Sequence, residues 1–370
     1  MQIALIGFSK SGKTTVFNAL TGAHAETSAF ASGKAQTHRA IVEVPDARLD
    51  KLRDFYKSKK LVRATIDYID PVGIRKDQAG QGAGLGEEML HNIATSDALV
   101  AVVRAFEDAS GVDCDPEGDF EAIQIELILS DLGKVDKRLE RIEAQAQRIG
   151  GKDRDRLLEE AQVLHKLKAG LESEKPIRAL NLPPEEERQL KSFQFLTTKT
   201  LIVVLNMPEG DNGAALIEKL DAAARSKLGP EDRAEAAPRL MALCGETEME
   251  IAQLAPEERT VFLQEYGIEE PGAARMIRLS YDALGLISFF TVGPPEAHAW
   301  TIRRDTPAVE AAGAIHSDLQ RGFIRAQAVR WDDLLKDGGM AEARKSGRLR
   351  IEGKEYIVQD GDVIEIMFSV

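Results

Sequence analysis

The strongest constraint on this chain lies at its start. A fully apolar run at residues 3–6 leads into Gly7-Phe8-Ser9-Lys10-Ser11-Gly12-Lys13-Thr14, which fits the phosphate-loop pattern G-x-x-x-x-G-K-[ST]. Short unbroken apolar runs are how buried parallel strands read, and residues 14–20 carry a helical pattern. Strand, glycine-bearing turn and helix in that order aim backbone N–H groups at one point, with the positive helix end behind them. In such a loop the Lys13 ammonium meets the β- and γ-phosphates and the Thr14 hydroxyl ligates Mg²⁺. Gly7, Phe8, Ser9, Lys10, Ser11, Gly12, Lys13, Thr14 and Thr15 are therefore the expected nucleotide-binding residues. The bland alternative is an ordinary strand–helix turn.

Strands and helices alternate through the next hundred residues, as in a parallel sheet covered on both faces. Strands are expected at 41–44, 65–69 and 98–103, and a helix at 85–94. Asp70-Pro71-Val72-Gly73 follows the strand at 65–69. There an Asp holds Mg²⁺ beside the loop hydroxyl and a Gly N–H bonds the γ-phosphate. Thr14 and Asp70 are thus the expected metal residues, and Lys13 and Gly73 the expected catalytic ones. The glycines at 80, 82, 84 and 86 suit a switch that orders around a γ-phosphate, or a plain surface loop.

A further buried strand at 201–205 ends in Asn206-Met207-Pro208-Glu209. A guanine-specific site reads N-K-x-D there, with the short Asp accepting two guanine N–H groups. Glu209 is one methylene longer and no Lys stem lies over the base. Asn206, Met207 and Glu209 are expected at the base, with weakened guanine selectivity and adenine accepted.

Between these strands the chain changes character. Apolar residues at 128, 132, 135, 139, 142, 146 and 149 recur at steps of four and three, a heptad seam. Gly150-Gly151 breaks it, and a weaker seam follows at 157, 161, 164 and 171. This is an antiparallel helical hairpin inserted into the α/β domain, either a solvated arm or a partner-docking lever. After 285 short strands are expected at 299–303, 322–329, 349–352, 355–358 and 363–368, with a helix near 308–315.

Composition bounds the rest. The 370 residues are 43% hydrophobic and 29% charged, which suits a globular protein with a sizeable core. A formal charge of −13 argues against nonspecific wrapping of nucleic acid or binding to anionic lipid, unless a local patch offsets the whole. Two cysteines, Cys114 and Cys244, make neither a disulfide framework nor a thiolate zinc site. The start lacks a basic leader and no apolar run is long enough for a membrane span, so a cytoplasmic location is expected. Local basic clusters at Lys57, Lys59, Lys60 and Arg63, and at Arg344, Lys345, Arg348 and Arg350, could touch rRNA phosphates or be solvated charge runs.

With these motifs in place the sequence resembles the YchF / Obg-like ATPase family of P-loop proteins. The resemblance is carried by residues 44–50 (Val-Pro-Asp-Ala-Arg-Leu-Asp), by Gly84-Leu85-Gly86 and by the run 126–132. The tail carries it too, with Ala299-Trp300-Thr301-Ile302, Gly322-Phe323-Ile324-Arg325-Ala326 and the run 353–363. It implies an α/β P-loop NTPase, a Ras-like G domain with an inserted helical coiled-coil hairpin and a C-terminal β-grasp (TGS) domain. The expected boundaries are 1–118 with 195–284 for the G domain, 119–194 for the hairpin and 285–370 for the last domain. It also implies hydrolysis of ATP or GTP with Mg²⁺ and association with the ribosome or its RNA.

The chain departs from that family pattern in three places. Ser9-Lys10-Ser11 replaces Pro-Asn-Val, and Lys10 could put an ammonium where relatives hold K⁺. In the first switch Lys34 falls where a metal-proximal Thr is expected, with Thr37 as a substitute if the loop slides. Ile74 stands where a Ras-like enzyme has a water-orienting Gln, and Ala101 replaces a family His. Intrinsic hydrolysis is therefore expected to be slow. The alternatives are a nucleotide-gated binding switch that scarcely hydrolyses, and a GTP-specific Obg-type enzyme.

Overall fold

The computed structural model describes residues 1–22, 37–71, 87–107, 114–265 and 268–369. They form two compact units, Met1–Ile41 with Asp67–Arg275 and Val42–Ile66 with Met276–Val370. Residues 42–66, expected inside the G domain, thus pack with the C-terminal unit, which itself begins before 285. The cause is a long-range strand pairing that local sequence does not encode, described below.

The first unit is built on β1 (Gln2–Ile6), α1 (Lys13–Thr21) and β2 (His38–Glu43). The chain then makes α2 (Ala47–Tyr56) and β3 (Lys60–Val62) before returning in β4 (Thr65–Asp70), α3 (Glu87–Ala94) and β5 (Ala98–Arg104). After the helical insertion come α6 (Pro184–Leu190), β6 (Thr200–Asn206), α7 (Ala214–Ser226), β7 (Arg239–Leu243), α8 (Gly245–Gln253) and α9 (Pro256–Glu265); α10 (Gly272–Ala283) begins in this unit and passes into the second after Arg275. The sheet order is β2-β4-β1-β5-β6-β7. The pairings of β1 with β4 and β5, of β5 with β6 and of β6 with β7 are parallel.

Registration explains the core. Ala4 pairs with Leu99 and Ile6 with Ala101, and these pair onward with Leu201 and Val203. All six point to one face, where Met89, Ile93, Phe120, Ile123, Leu127 and Leu220 close over them. Every residue of β5 is buried, as a central parallel strand requires. Each fully buried aliphatic side chain there is worth about 1.5–3 kcal/mol.

The insertion is α4 (Pro116–Ala146) and α5 (Lys152–Glu172). Asp115 caps α4 by accepting from the Gly118 N–H at 2.9 Å, with Pro116 in the first turn. Gly151, at φ +63°, supplies the left-handed residue that starts α5. The seam appears as expected: Ile128, Val135 and Ile142 are buried against Val163, Leu164, Leu167 and Leu171. Ile149 lies beyond the end of α4 and is exposed.

The second unit contains α2, β3, β8 (Leu286–Val292), β9 (Glu296–Arg303), α11 (Ala308–Ile315), α12 (Ser317–Arg321), β10 (Phe323–Arg330), α13 (Trp331–Asp337), α14 (Met340–Lys345), β11 (Arg350–Glu352) and β12 (Asp362–Phe368). Its sheet order is β11-β10-β12-β8-β9-β3. β8 and β12, the first and last strands of the tail, pair in parallel at the centre. α11 covers one face through Ala308, Ala311 and Ala312, a β-grasp arrangement. The strand expected at 355–358 is absent. Val358 N–H bonds Thr306 and Ile357 makes only an isolated bridge to Pro307, so this segment is spent on fixing the start of α11. β3 runs parallel to β9, Lys60 opposite Glu296, and this pairing draws residues 42–66 into the second unit.

Candidate functional site

In the first sheet β1 has β4 on one side and β5 on the other, so the chain reverses its direction of winding at β1. Ligands of open parallel sheets bind in the crevice outside the strand carboxyl ends at such a point. The loop from Gly7 to Gly12 lies there. Ser11 N–H closes a turn onto the Phe8 carbonyl at 3.1 Å. Lys10 adopts φ +69°, left-handed for a side-chain-bearing residue, and is exposed with Ser9 at the tip. Gly12, at φ +81°, sits so close to Asn206 that any Cβ would overlap its side-chain amide. At Gly7 a Cβ would stand 2.6 Å from the Val102 carbonyl oxygen. Both positions therefore exclude side chains.

Lys13 and Thr14 open α1 and converge on the end of β4. The Lys13 ammonium is 7% exposed; it donates to the Asp70 carboxylate and to the Pro71 carbonyl at 2.5 Å. Burial pushes Lys13 down to about 7, while the adjacent carboxylate favours its charged form. Thr14 Oγ1 donates to the second Asp70 oxygen at 2.8 Å. A hydroxyl and a carboxylate side by side are hard oxygen donors of the kind Mg²⁺ takes, with phosphate oxygens and waters completing its shell. No cluster of three or more His, Cys, Asp or Glu able to hold a metal exists among the described residues, so the ion would depend on the nucleotide for the rest. The buried Ser11 Oγ has no hydrogen-bond partner among the described residues. Thr15 is half-buried behind the loop.

The residues expected at the base are arranged differently from one another. The Asn206 amide is spent on protein: Nδ2 donates to the Ser11 carbonyl at 3.1 Å and Oδ1 accepts the Gly245 N–H at 2.8 Å. It ties the phosphate loop to the start of α8. Met207 is buried in the sheet core with Leu205 and Ala242, so its side chain is a packing element. Glu209 is exposed beyond the strand end. The Cys244-Gly245 turn is not among the residues expected from the sequence. A strand end followed by a helix start at 244–245 was the signal that could have found it.

Similarity to known proteins follows the same outline. A family profile described as "50S ribosome-binding GTPase" matches residues 2–140, and the YchF-GTPase C-terminal profile, described as "Protein of unknown function", matches residues 286–369. The "Ribosome-binding ATPase YchF" of Bacillus subtilis (strain 168) is 40% identical over 382 aligned positions, covering 100% of both chains. The chain belongs to the YchF family. The protein of the same description from Escherichia coli O157:H7 is 36% identical, covering 100% of this chain and 99% of its own. The structure of the Schizosaccharomyces pombe YchF GTPase superposes with a TM-score of 0.82 at 27% identity, covering 99% of this chain and 97% of that one. The fold is accordingly that of a P-loop GTPase with a helical insertion and a C-terminal domain.

Other sites expected from the YchF pattern are placed unevenly. Gly73, Ile74, Lys34 and the glycines at 80–86 lie outside the described residues. Thr37 is described, and its hydroxyl accepts from the Asn92 amide of α3 at 3.0 Å. The basic clusters are largely paired within their own unit: Lys60 with Glu296, Arg63 with Asp50, Arg348 with Asp337 and Arg350 with Asp362. Residues 44–50 and 353–363, far apart in sequence, meet in the second unit. Arg48 is held by Asp46 at 2.8 Å and Asp360 at 2.6 Å, over the ring of Phe290.

Proposed function

We propose that this chain binds a nucleoside triphosphate with Mg²⁺, hydrolyses its γ-phosphate slowly on its own, and does so in association with the ribosome or its RNA. The convergence of Lys13, Thr14 and Asp70 at the switch point of the sheet carries the reading. The names of its bacterial relatives, ribosome-binding ATPases, support the substrate and the partner. No helix among the described residues is long and apolar enough to cross a membrane. A cytoplasmic enzyme, with DNA no partner, fits this reading.

The loop amides between Gly7 and Thr15 hold the phosphate tail. The Lys13 ammonium exchanges Asp70 and the Pro71 carbonyl for phosphate oxygens and stabilises charge on the transferred phosphoryl group. That exchange frees the Asp70 carboxylate, which with the Thr14 hydroxyl would hold Mg²⁺. Mg²⁺ held there would supply charge neutralisation to the phosphate tail. Gly73, outside the described residues, would give its N–H to the γ-phosphate. Asn206 acts on the nucleotide by fixing the loop, and Glu209 faces the base, where its extra methylene favours ATP or leaves the purine choice open.

The test is calorimetric titration with nonhydrolysable ATP and GTP analogues plus Mg²⁺, followed by single-turnover phosphate release with and without ribosomes. Binding is expected for the ATP analogue and lost in Lys13→Ala. No heat from either analogue overturns the reading, and a clear guanine preference overturns the assignment of Glu209. A second reading, a nucleotide-gated switch, is favoured by Ile74 in place of a water-orienting Gln. Nucleotide-dependent ribosome binding with no cleavage in either condition would select it.

A further inference from the structure

The base of the hairpin is bolted to the first sheet by side chains that the nucleotide site does not use. Asp131 of α4 is wholly buried, and its two oxygens accept the N–H groups of Leu196 at 2.8 Å and Thr197 at 2.7 Å. A buried carboxylate with both oxygens on main-chain donors fixes the position of those donors closely. Lys134, one turn along α4, adds a bond to the Gln194 carbonyl at 2.9 Å. Arg178, after α5, donates to the carbonyls of Thr197 and Ala236. The short segment 194–199 is thus held by α4 and by the stretch that follows α5.

The same segment grips α3. Lys199 crosses to the last turn of that helix and donates to the Ala94 carbonyl at 2.8 Å and to the Ser96 carbonyl. An ammonium on the terminal carbonyls of a helix satisfies acceptors that have no partner inside it. α3 is seated on the sheet through Met89 and Ile93, which are buried against the core. It links β4, which ends at Asp70, to β5, so as a crossover helix it runs from the carboxyl edge of the sheet to the opposite edge. At about 1.5 Å per residue it is a rod of roughly 12 Å between those edges.

We propose that Lys199 is a coupling residue that transmits displacement of α3 to the helical hairpin through segment 194–199 and Asp131. The device rests on the nucleotide reading only for its input; the mechanical link itself is a property of the nucleotide-free protein. Both ends bias one shared segment, which is the physical condition for energetic coupling between distant elements. The effect is reciprocal. A partner that moves the hairpin alters α3, and whatever moves α3 alters the hairpin.

The experiment is a mutant cycle on the full chain read by amide hydrogen exchange. In the nucleotide-free protein Asp131→Asn is expected to raise exchange of the amides at 92–96 about tenfold. In a Lys199→Met background, which keeps the apolar stem and removes the two bonds, the same change should leave those amides unmoved, and Lys199→Arg should restore the response. Lys134→Ala is the milder perturbation if Asp131→Asn fails to fold. A response at 92–96 that is equal with and without Lys199, or no response at all, overturns the coupling. With the ATP analogue present, protection should change at 194–199 and 128–135 in the natural sequence and fall to background in Lys199→Met. If the cycle shows coupling but no analogue binds, the proposed function fails while the link stands. If the analogue binds and the cycle shows none, the link fails alone.

Discussion

Thr14 Oγ1 donates to Asp70 Oδ2 at 2.8 Å, while Lys13 from the preceding position holds the other oxygen of the same carboxylate. One carboxylate at the end of β4 is therefore shared between the Lys13 ammonium and the hydroxyl beside it. This arrangement compensates a buried ammonium. In the proposed triphosphate complex it would present two oxygen donors to a metal.

Thr14→Ala and Asp70→Asn should each weaken the Mg²⁺ dependence of triphosphate binding more than they weaken binding itself. The measure is affinity for the ATP analogue with Mg²⁺ and with EDTA. The ratio should fall about tenfold or more, the worth of one charge-assisted contact at ~1.5–3 kcal/mol. An unchanged ratio in both variants removes these residues from the metal.

The pH dependence follows from Lys13. Burial lowers it from 10.5 to about 7, so between those values the unfolded chain binds more protons than the folded one. In the nucleotide-free protein this group's contribution to stability therefore rises as pH increases from about 7 towards 10. Triphosphate affinity runs the other way, because the bound anion needs the ammonium. Calorimetry at pH 8 in buffers of different ionisation heat should register net proton uptake on binding, abolished in Lys13→Met. Zero uptake with intact binding refutes the assignment.

Asn206→Ala removes two bonds and leaves the Ser11 carbonyl and the Gly245 N–H without their partner. The expected cost is about 2–4 kcal/mol, from one or two unsatisfied buried groups. It should appear as a lower urea midpoint together with weaker nucleotide binding. A variant of unchanged stability that has lost only base discrimination would show that Asn206 reads the base directly.

Arg48 is predicted to anchor the second unit. Arg48→Met keeps most of the apolar stem, removes the guanidinium from over the Phe290 ring and leaves Asp46 and Asp360 without their shared cation. Asp360 still accepts the Ser288 N–H at 3.0 Å, which limits the loss to about 1–3 kcal/mol. Chemical denaturation followed by tryptophan fluorescence tests this, since both Trp300 and Trp331 lie in that unit.

Lys10, exposed at the tip of the loop, is expected to make turnover indifferent to K⁺ against Na⁺, with a K⁺ requirement appearing in Lys10→Asn. A strong K⁺ requirement in the natural sequence removes that role.

The sequence by itself determined whatever depends on neighbours along the chain. The Gly7–Thr14 loop, the buried strands around it, the heptad seam from Ile128 to Ile142 and the stop at Gly151 each rest on spacing and backbone freedom within a few residues. Tertiary structure alone decided what depends on partners brought from far away. It moved residues 42–66 into the second unit by pairing β3 with β9. It made Asn206 a clasp between Ser11 and Gly245, and it buried Met207 in the core. It also set Lys199 on the end of α3, for which the sequence offered no sign. A side chain's choice among hydrogen-bond partners is made by whichever backbone groups the fold leaves unpaired beside it, and those are fixed only when the sheets assemble.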